Sequence, residues 1–186
     1  MQKKAVSGPP GAFQLKKIIK KGQVNYLFGE WGKKFENLFS KYHKVSYSIA
    51  VSNGTIGLEL ALAALELNSN DEVLVTPRSY YSSASCIIRN NLKPVFVDID
   101  LNTQNILVDD IKKKITKKTK CIICVHLGGL PCEMNEIMKI AKLNKIKVIE
   151  DCSQAHGAMI DGKLAGSFGD IAVWSFCNDK IISTLG

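Results

Sequence analysis

The sequence predicts an α/β protein: a mostly parallel sheet sandwiched by helices. Two observations carry this. From residue 30 onward, short apolar runs alternate with longer amphipathic ones, the strand-helix-strand order of a sheet covered on both faces. The apolar runs are near-continuous, as in strands buried on both sides.

Trp31, Phe35, Leu38, Phe39 and Tyr42 recur at helical spacing and open the pattern. Residues 47–51 read as the first strand and 55–67 (TIGLELALAALEL) as the helix after it. A second strand over 72–76 leads into a helix over 79–90, and a third strand over 94–99 (PVFVDI) follows. Residues 108–115 form a short Lys-rich helix before a fourth strand over 121–127. Met134, Ile137, Met138 and Ala141 mark one helix face; fifth and sixth strands follow over 147–150 and 171–176.

The length of 186 residues suits one domain with a real core, here 29–186, preceded by an N-terminal segment, 1–28. No apolar run reaches membrane-spanning length, and the basic N-terminus lacks an apolar core, so neither a membrane partner nor a secretory signal is expected. A cytoplasmic location follows as the default. Net charge is +8, yet arginine occurs only at Arg78 and Arg89, which argues against nucleic-acid reading, where bidentate Arg contacts dominate. The six lysines within 112–120 read as a solvated helix end and loop. Six cysteines without an export signal read as reduced thiols. Cys121 and Cys124 resemble a CxxC pair, but residues three apart on a strand face opposite ways, so no metal site is expected.

In a doubly covered parallel sheet the ligand lies beyond the carboxyl ends of the strands. Ser52-Asn53-Gly54-Thr55 there joins a strand to a helix start, a plausible phosphate cradle and equally a plain N-cap. Asp151 closes an apolar strand, where it meets a ligand cation or caps the next turn. Lys180 follows the last strand; an enclosed lysine can become a nucleophile, whereas in so Lys-rich a chain any single lysine is by default a surface residue. His126, His156, Asp98, Asp100 and Trp174 have structural explanations: satisfied imidazoles, strand-end caps and a core indole. The absence of G-x-G-x-x-G and Walker sequences argues against a generic nucleotide-binding module.

The stretches SNGTIGLELAL (52–62), DEVLVTPRSYYSSAS (71–85), KPVFVDID (93–100), VHLGGLPCEM (125–134), VIEDCSQAHGA (148–158) and SFGDIAVWSFCNDK (167–180) together resemble the DegT/DnrJ/EryC1/StrS family of sugar aminotransferases, in family order and spacing. The resemblance covers most of 29–186. It implies a pyridoxal 5'-phosphate enzyme of transferase fold type I, with an aspartate-aminotransferase-like large domain. Lys180 matches the lysine that joins the cofactor aldehyde and shuttles the proton. Asp151 matches the carboxylate on the pyridinium nitrogen, Gln154 the partner of the ring's phenolic oxygen, and Tyr80 the aromatic stacked on the ring. Gly54, Thr55 and Ser175 match the phosphate site.

The implied reaction moves an amino group from an amino acid, glutamate or glutamine, to the keto group of a nucleotide-activated sugar. A cyclic polyol ketone such as an inosose is the alternative acceptor, and a truncated, non-catalytic remnant the alternative class. A complete family member is expected to continue past Gly186 with the end of the large domain and a small C-terminal domain, and to be a homodimer. Ser153 stands where the family commonly has alanine, and Arg78-Ser79-Tyr80 varies the usual aromatic-Thr-aromatic stretch.

Overall fold

The computed structural model describes residues 16–22, 25–26 and 29–184. The chain divides into two compact units, 1–50 and 51–186. The expected boundary at 28/29 falls inside the first.

In the first unit, α1 (Trp31–His43) forms where the aromatic spacing predicts it. Phe35, Phe39 and His43 follow one another at one-turn intervals and stack, with ring centroids 5.5 and 4.5 Å apart. Lys44 ends the helix in the left-handed conformation, φ 55°. The Glu36 carboxylate then gathers the neighbouring chain, accepting from the Tyr26 hydroxyl at 2.7 Å and the Ala50 amide at 2.8 Å.

The strand expected over 47–51 does not form. Tyr47 and Ile49 are exposed, and no described residue pairs with the segment. Side-chain alternation is a local property, but a strand exists only when a neighbour supplies its ladder.

In the second unit, α2 (Gly54–Ala63) precedes β1 (Glu72–Val75), α3 (Ser82–Arg89), β2 (Lys93–Phe96), α4 (Val108–Lys114) and β3 (Thr119–Val125). Then come α5 (Met134–Asn144), β4 (Lys147–Asp151), the short pair β5 (Met159–Ile160) and β6 (Lys163–Leu164), and β7 (Ile171–Val173). Five strands form one parallel sheet in the order β2-β1-β3-β4-β7. Chain order reverses between β1 and β3, so crossover helices cover both faces. β2 is an edge strand, and Lys93 and Pro94 blunt it.

Alternation along β3 divides the core. Cys121, Ile123 and Val125 pack with Leu58 and Leu62 of α2 and Ile87 of α3. Ile122 and Cys124 pack on the other face with Ile111 of α4 and Met134 and Ile137 of α5. Cys121 and Cys124 thus lie on opposite faces, both fully buried, and burial raises both thiols. Among the lysines of 112–120, Lys112 and Lys114 pair with Asp109 and Asp110 on the exposed turn of α4.

β5 and β6 make a hairpin absent from the sequence reading. Asp161 and Gly162 both have positive φ, 49° and 76°, the pairing that a two-residue turn matched to strand twist requires. Gly166 follows at φ 83°, and a Cβ there would sit 2.0 Å from the Trp174 ring. That residue must be glycine for the chain to turn into β7.

Candidate functional site

The carboxyl ends of β1, β3, β4 and β7 lie on one side of the sheet, and the second unit gathers there the residues the sequence singles out. At the end of β4, successive carboxylates face opposite ways. Glu150 points to the α5 face and Asp151 to the α3 face.

Glu150 is fully buried and saturated. Its oxygens accept from the amides of Gly166 (2.8 Å), Phe168 and Gly169 (both 2.7 Å), and meet His126 Nε2 at 3.0 Å. His126 Nδ1 accepts the Cys132 amide at 3.0 Å, so the ring proton sits on Nε2 and is donated to Glu150. Burial alone pushes the Glu150 carboxyl up. The His126 bond and the Gly169 and Gly166 amides outweigh it and hold the group below its ordinary value. Cys152 Sγ lies close enough to complete a three-ligand set with His126 and Glu150. Both imidazole nitrogens are already committed, so the cluster is a filled hydrogen-bond network. His126 is therefore a structural imidazole that closes the loop after β3.

Asp151 is buried but less occupied. Its Oδ2 accepts the Ser83 hydroxyl at 3.2 Å, and its Oδ1 the Ser153 amide at 3.1 Å. Each oxygen retains acceptor capacity for a ligand.

The start of α2 lies beside the chain that follows β7. Asn53 Oδ1 caps the helix by accepting the Ile56 amide at 3.0 Å. The amides of Gly54 and Thr55 stay outside the helical ladder, at the positive end of the dipole. A Cβ on Gly54 would lie 3.3 Å from Ser175 Cβ and 3.5 Å from Ser153 Oγ. Gly54 and Ser175 are thus brought together at a helix N-terminus, with Thr55 the next residue of α2.

Gln154 is tied to the loop after β3, where its Oε1 accepts the Gly128 amide at 2.6 Å. With its carbonyl held, the side chain offers a ligand its NH2 donors. Tyr80 is exposed and lies against Tyr81, ring centroids 4.4 Å apart, with Cys177 and Asp179 close enough to raise its hydroxyl further after the larger effect of Tyr81.

Lys180 is one-fifth exposed and pairs with Asp179 Oδ2 at 2.8 Å. Its backbone turns onto Cys177, and its ammonium lies near His156, which burial first and then this charge hold below the usual imidazole range. His156 in turn packs edge-on against Phe176 at 5.2 Å. Trp174 packs with Cys152, Ala155 and Ala165, as a core residue does. Asp98 and Asp100 bond to local backbone amides at the end of β2.

The fold thus unites Gly54 with Ser175 and sets Asp151 between Ser83 of α3 and the Ser153 amide, whereas the ion pair of Lys180 is with Asp179 and not with an expected site residue. Sequence reasoning missed Ser83, Ser79 and Tyr81. The hydroxyl-rich run SYYSSAS over 79–85 was the available signal.

These features define a doubly wound α/β protein with a helix N-terminus and a buried, partly occupied carboxylate at the carboxyl ends of its strands. The chain belongs to the DegT/DnrJ/EryC1/StrS aminotransferase family, whose model matches residues 12–186. It is 46% identical over 156 residues to GDP-perosamine synthase of Escherichia coli O157:H7, covering 84% of this chain and 43% of that protein. An aminotransferase from Psychrobacter cryohalolentis superposes with a TM-score of 0.93 at 43% identity, over 97% of this chain and 46% of that one. E. coli GDP-4-keto-6-deoxy-D-mannose-3-dehydratase, solved with hydrated pyridoxal phosphate bound, gives 0.91 at 29% identity, over 97% and 48%. The chain spans less than half the length of these relatives.

The fold is that of the pyridoxal-phosphate aminotransferases, and pyridoxal phosphate is the family's cofactor. The donor set fits it: a close approach at Gly54 that leaves little room for a side chain, a carboxylate with open acceptor capacity, and an amide donor on Gln154. Among the described residues no helix is long and apolar enough to cross a membrane.

Proposed function

We propose that this chain is the cofactor-binding part of an aminotransferase that moves an amino group from glutamate or glutamine to the keto group of a nucleotide-activated sugar. The observation that carries this is the pairing of the buried, half-occupied Asp151 with the Gly54–Ser175 approach at one end of a parallel sheet. The sugar class is supported by the 46% identity to GDP-perosamine synthase. When bound, pyridoxal phosphate supplies an aldehyde that takes up the amino group and a ring that accepts electrons.

The chain's own residues have distinct tasks. Gly54, Thr55 and Ser175 bind the phosphate through amides, a helix dipole and a hydroxyl. Asp151 holds a proton on the ring nitrogen, and Gln154 donates to the phenolic oxygen. Tyr80 covers one ring face. Lys180 Nζ, paired with Asp179 in this structure, would exchange that pair for the cofactor aldehyde and would move the proton. A homodimer in the cytoplasm is part of this reading. Leu60 on α2 and Ile88 on α3 present apolar surface that a second copy can cover.

The test is direct. The purified chain is mixed with pyridoxal phosphate and reduced with borohydride, and the modified lysine is mapped by peptide mass. Label concentrated on Lys180, and lost in Lys180→Ala, is the expected result. Label scattered over the surface lysines overturns the assignment.

A further inference from the structure

Ser83 has no part in the reading above, yet it is 1% exposed and its hydroxyl touches Asp151. A carboxylate can only accept, so the single Ser83 proton is committed to Asp151 Oδ2 at 3.2 Å. The Ser79 and Ser83 hydroxyl oxygens stand 2.7 Å apart. Ser83 has no second proton to give, so Ser79 must be the donor. The direction of the chain is thereby fixed: Ser79 hydroxyl to Ser83 hydroxyl to Asp151 carboxylate. Each donor polarises the next, which strengthens the terminal bond in a water-poor setting.

Ser79 immediately precedes Tyr80 in the turn between β1 and α3, whereas Asp151 ends β4. Two hydrogen bonds therefore tie the turn that carries the aromatic ring to the carboxylate. We infer that Ser83 is a positioning residue: through the Ser79–Ser83 relay it fixes the Asp151 carboxylate and sets it relative to Tyr80, so that one ligand ring can meet both. The inference rests on the reading that Asp151 and Tyr80 receive the cofactor ring. The hydrogen-bond relay itself stands without that reading.

Two measurements on the whole chain separate these parts. In the cofactor-free chain, the Ser153 amide donates to Asp151 Oδ1 and reports how firmly the carboxylate is held. Ser83→Ala is expected to speed hydrogen exchange at Ser153 several-fold while leaving core amides such as Ile123 and Ile149 unchanged. That contrast distinguishes a loosened carboxylate from a destabilised fold. With pyridoxal phosphate as the probe, Ser83→Ala is expected to weaken binding about tenfold, the size of a lost bond to a charged group. Ser83→Thr, which keeps the hydroxyl, is expected to restore most of it. Ser79→Ala is expected to act in the same direction and less strongly.

Unchanged exchange at Ser153 in Ser83→Ala overturns the relay. Faster exchange with unchanged cofactor affinity overturns the positioning role and leaves Ser83 a structural contact. Should the unaltered chain fail to bind pyridoxal phosphate, the proposed function falls for this chain, and exchange at Ser153 alone decides whether Ser83 holds the carboxylate.

Discussion

Glu150 and Asp151 are neighbours on one strand, with the same charge and nearly the same burial, and they serve opposite ends. Glu150 collects three backbone amides and an imidazole, all from its own chain. Asp151 collects one hydroxyl and one amide and keeps acceptor capacity on both oxygens. The difference teaches that a buried carboxylate is read from its remaining acceptor capacity rather than from its depth. Glu150 fastens three segments: β4, the loop after β3 that holds Gln154, and the turn into β7 that leads to Ser175 and Lys180. Asp151 is the group that this fastening presents.

Breaking the saturated side should do the most damage. Glu150→Ala leaves the buried Gly166 amide and the partly buried Phe168 and Gly169 amides without their acceptor, and it strands the His126 proton. The expected loss is about 3–5 kcal/mol of stability, measured as a shift in the urea midpoint. Asp151→Ala should cost clearly less, because only two donors lose their partner. Equal losses at the two positions would break the comparison.

Acid should find the same weak point. The folded state holds Glu150 below its ordinary value of 4.5, burial notwithstanding. A lowered carboxyl contributes stability that is fully present above the unfolded value and is lost as pH falls through the folded one. Stability of the unaltered chain should therefore decline as pH drops below that ordinary value. Glu150→Gln, weaker at neutral pH, should show a flatter acid limb. Parallel limbs for the two proteins would assign the acid sensitivity to other carboxylates, such as Glu72 or Asp110, which are also held low.

On the open side, Asp151→Asn keeps the shape and an acceptor for Ser83 or Ser153. Its stability should change by no more than about 1 kcal/mol. In a chain loaded with pyridoxal phosphate it should slow the chemical step more than it weakens binding. An unchanged rate would remove the ring-nitrogen role from Asp151.

The open side was legible in the sequence, and the saturated side was not. Asp151 ends an apolar run and is followed by Gln154, so its place at the sheet mouth follows from strand period and topology. The opposite facing of Cys121 and Cys124 follows from the same period. Glu150 sits on that strand too, but its partners are backbone amides 16 to 19 residues on, and backbone amides carry no residue signature. The helix expected over 79–90 begins at Ser82 because the preceding turn is bent to bring Ser79 onto Ser83. The strand expected over 47–51 fails for the converse reason: its local pattern is right and its partner is missing among the described residues. The β5–β6 hairpin announced itself in Asp161-Gly162, a two-residue turn signal between short apolar runs that the sequence reading passed over.

Ser153 offers the finest test of the comparison, because its contact with Asp151 is made by backbone. The Ser153 amide, not its hydroxyl, donates to Oδ1. Its side chain is half-buried beside the start of α2, without an internal hydrogen bond that holds Asp151. Ser153→Ala should therefore shift stability by no more than about 0.5 kcal/mol and leave exchange at its own amide unchanged, apart from the small intrinsic effect of the substitution. Ser83→Ala, which removes one hydroxyl of the same size a few ångströms away, should change that exchange several-fold. Two serines flank one carboxylate, and only the one whose side chain reaches it should matter. If Ser153→Ala instead loosened its own amide as much as Ser83→Ala does, the Asp151 carboxylate would be held by the packing around it as a whole rather than by its two identified donors.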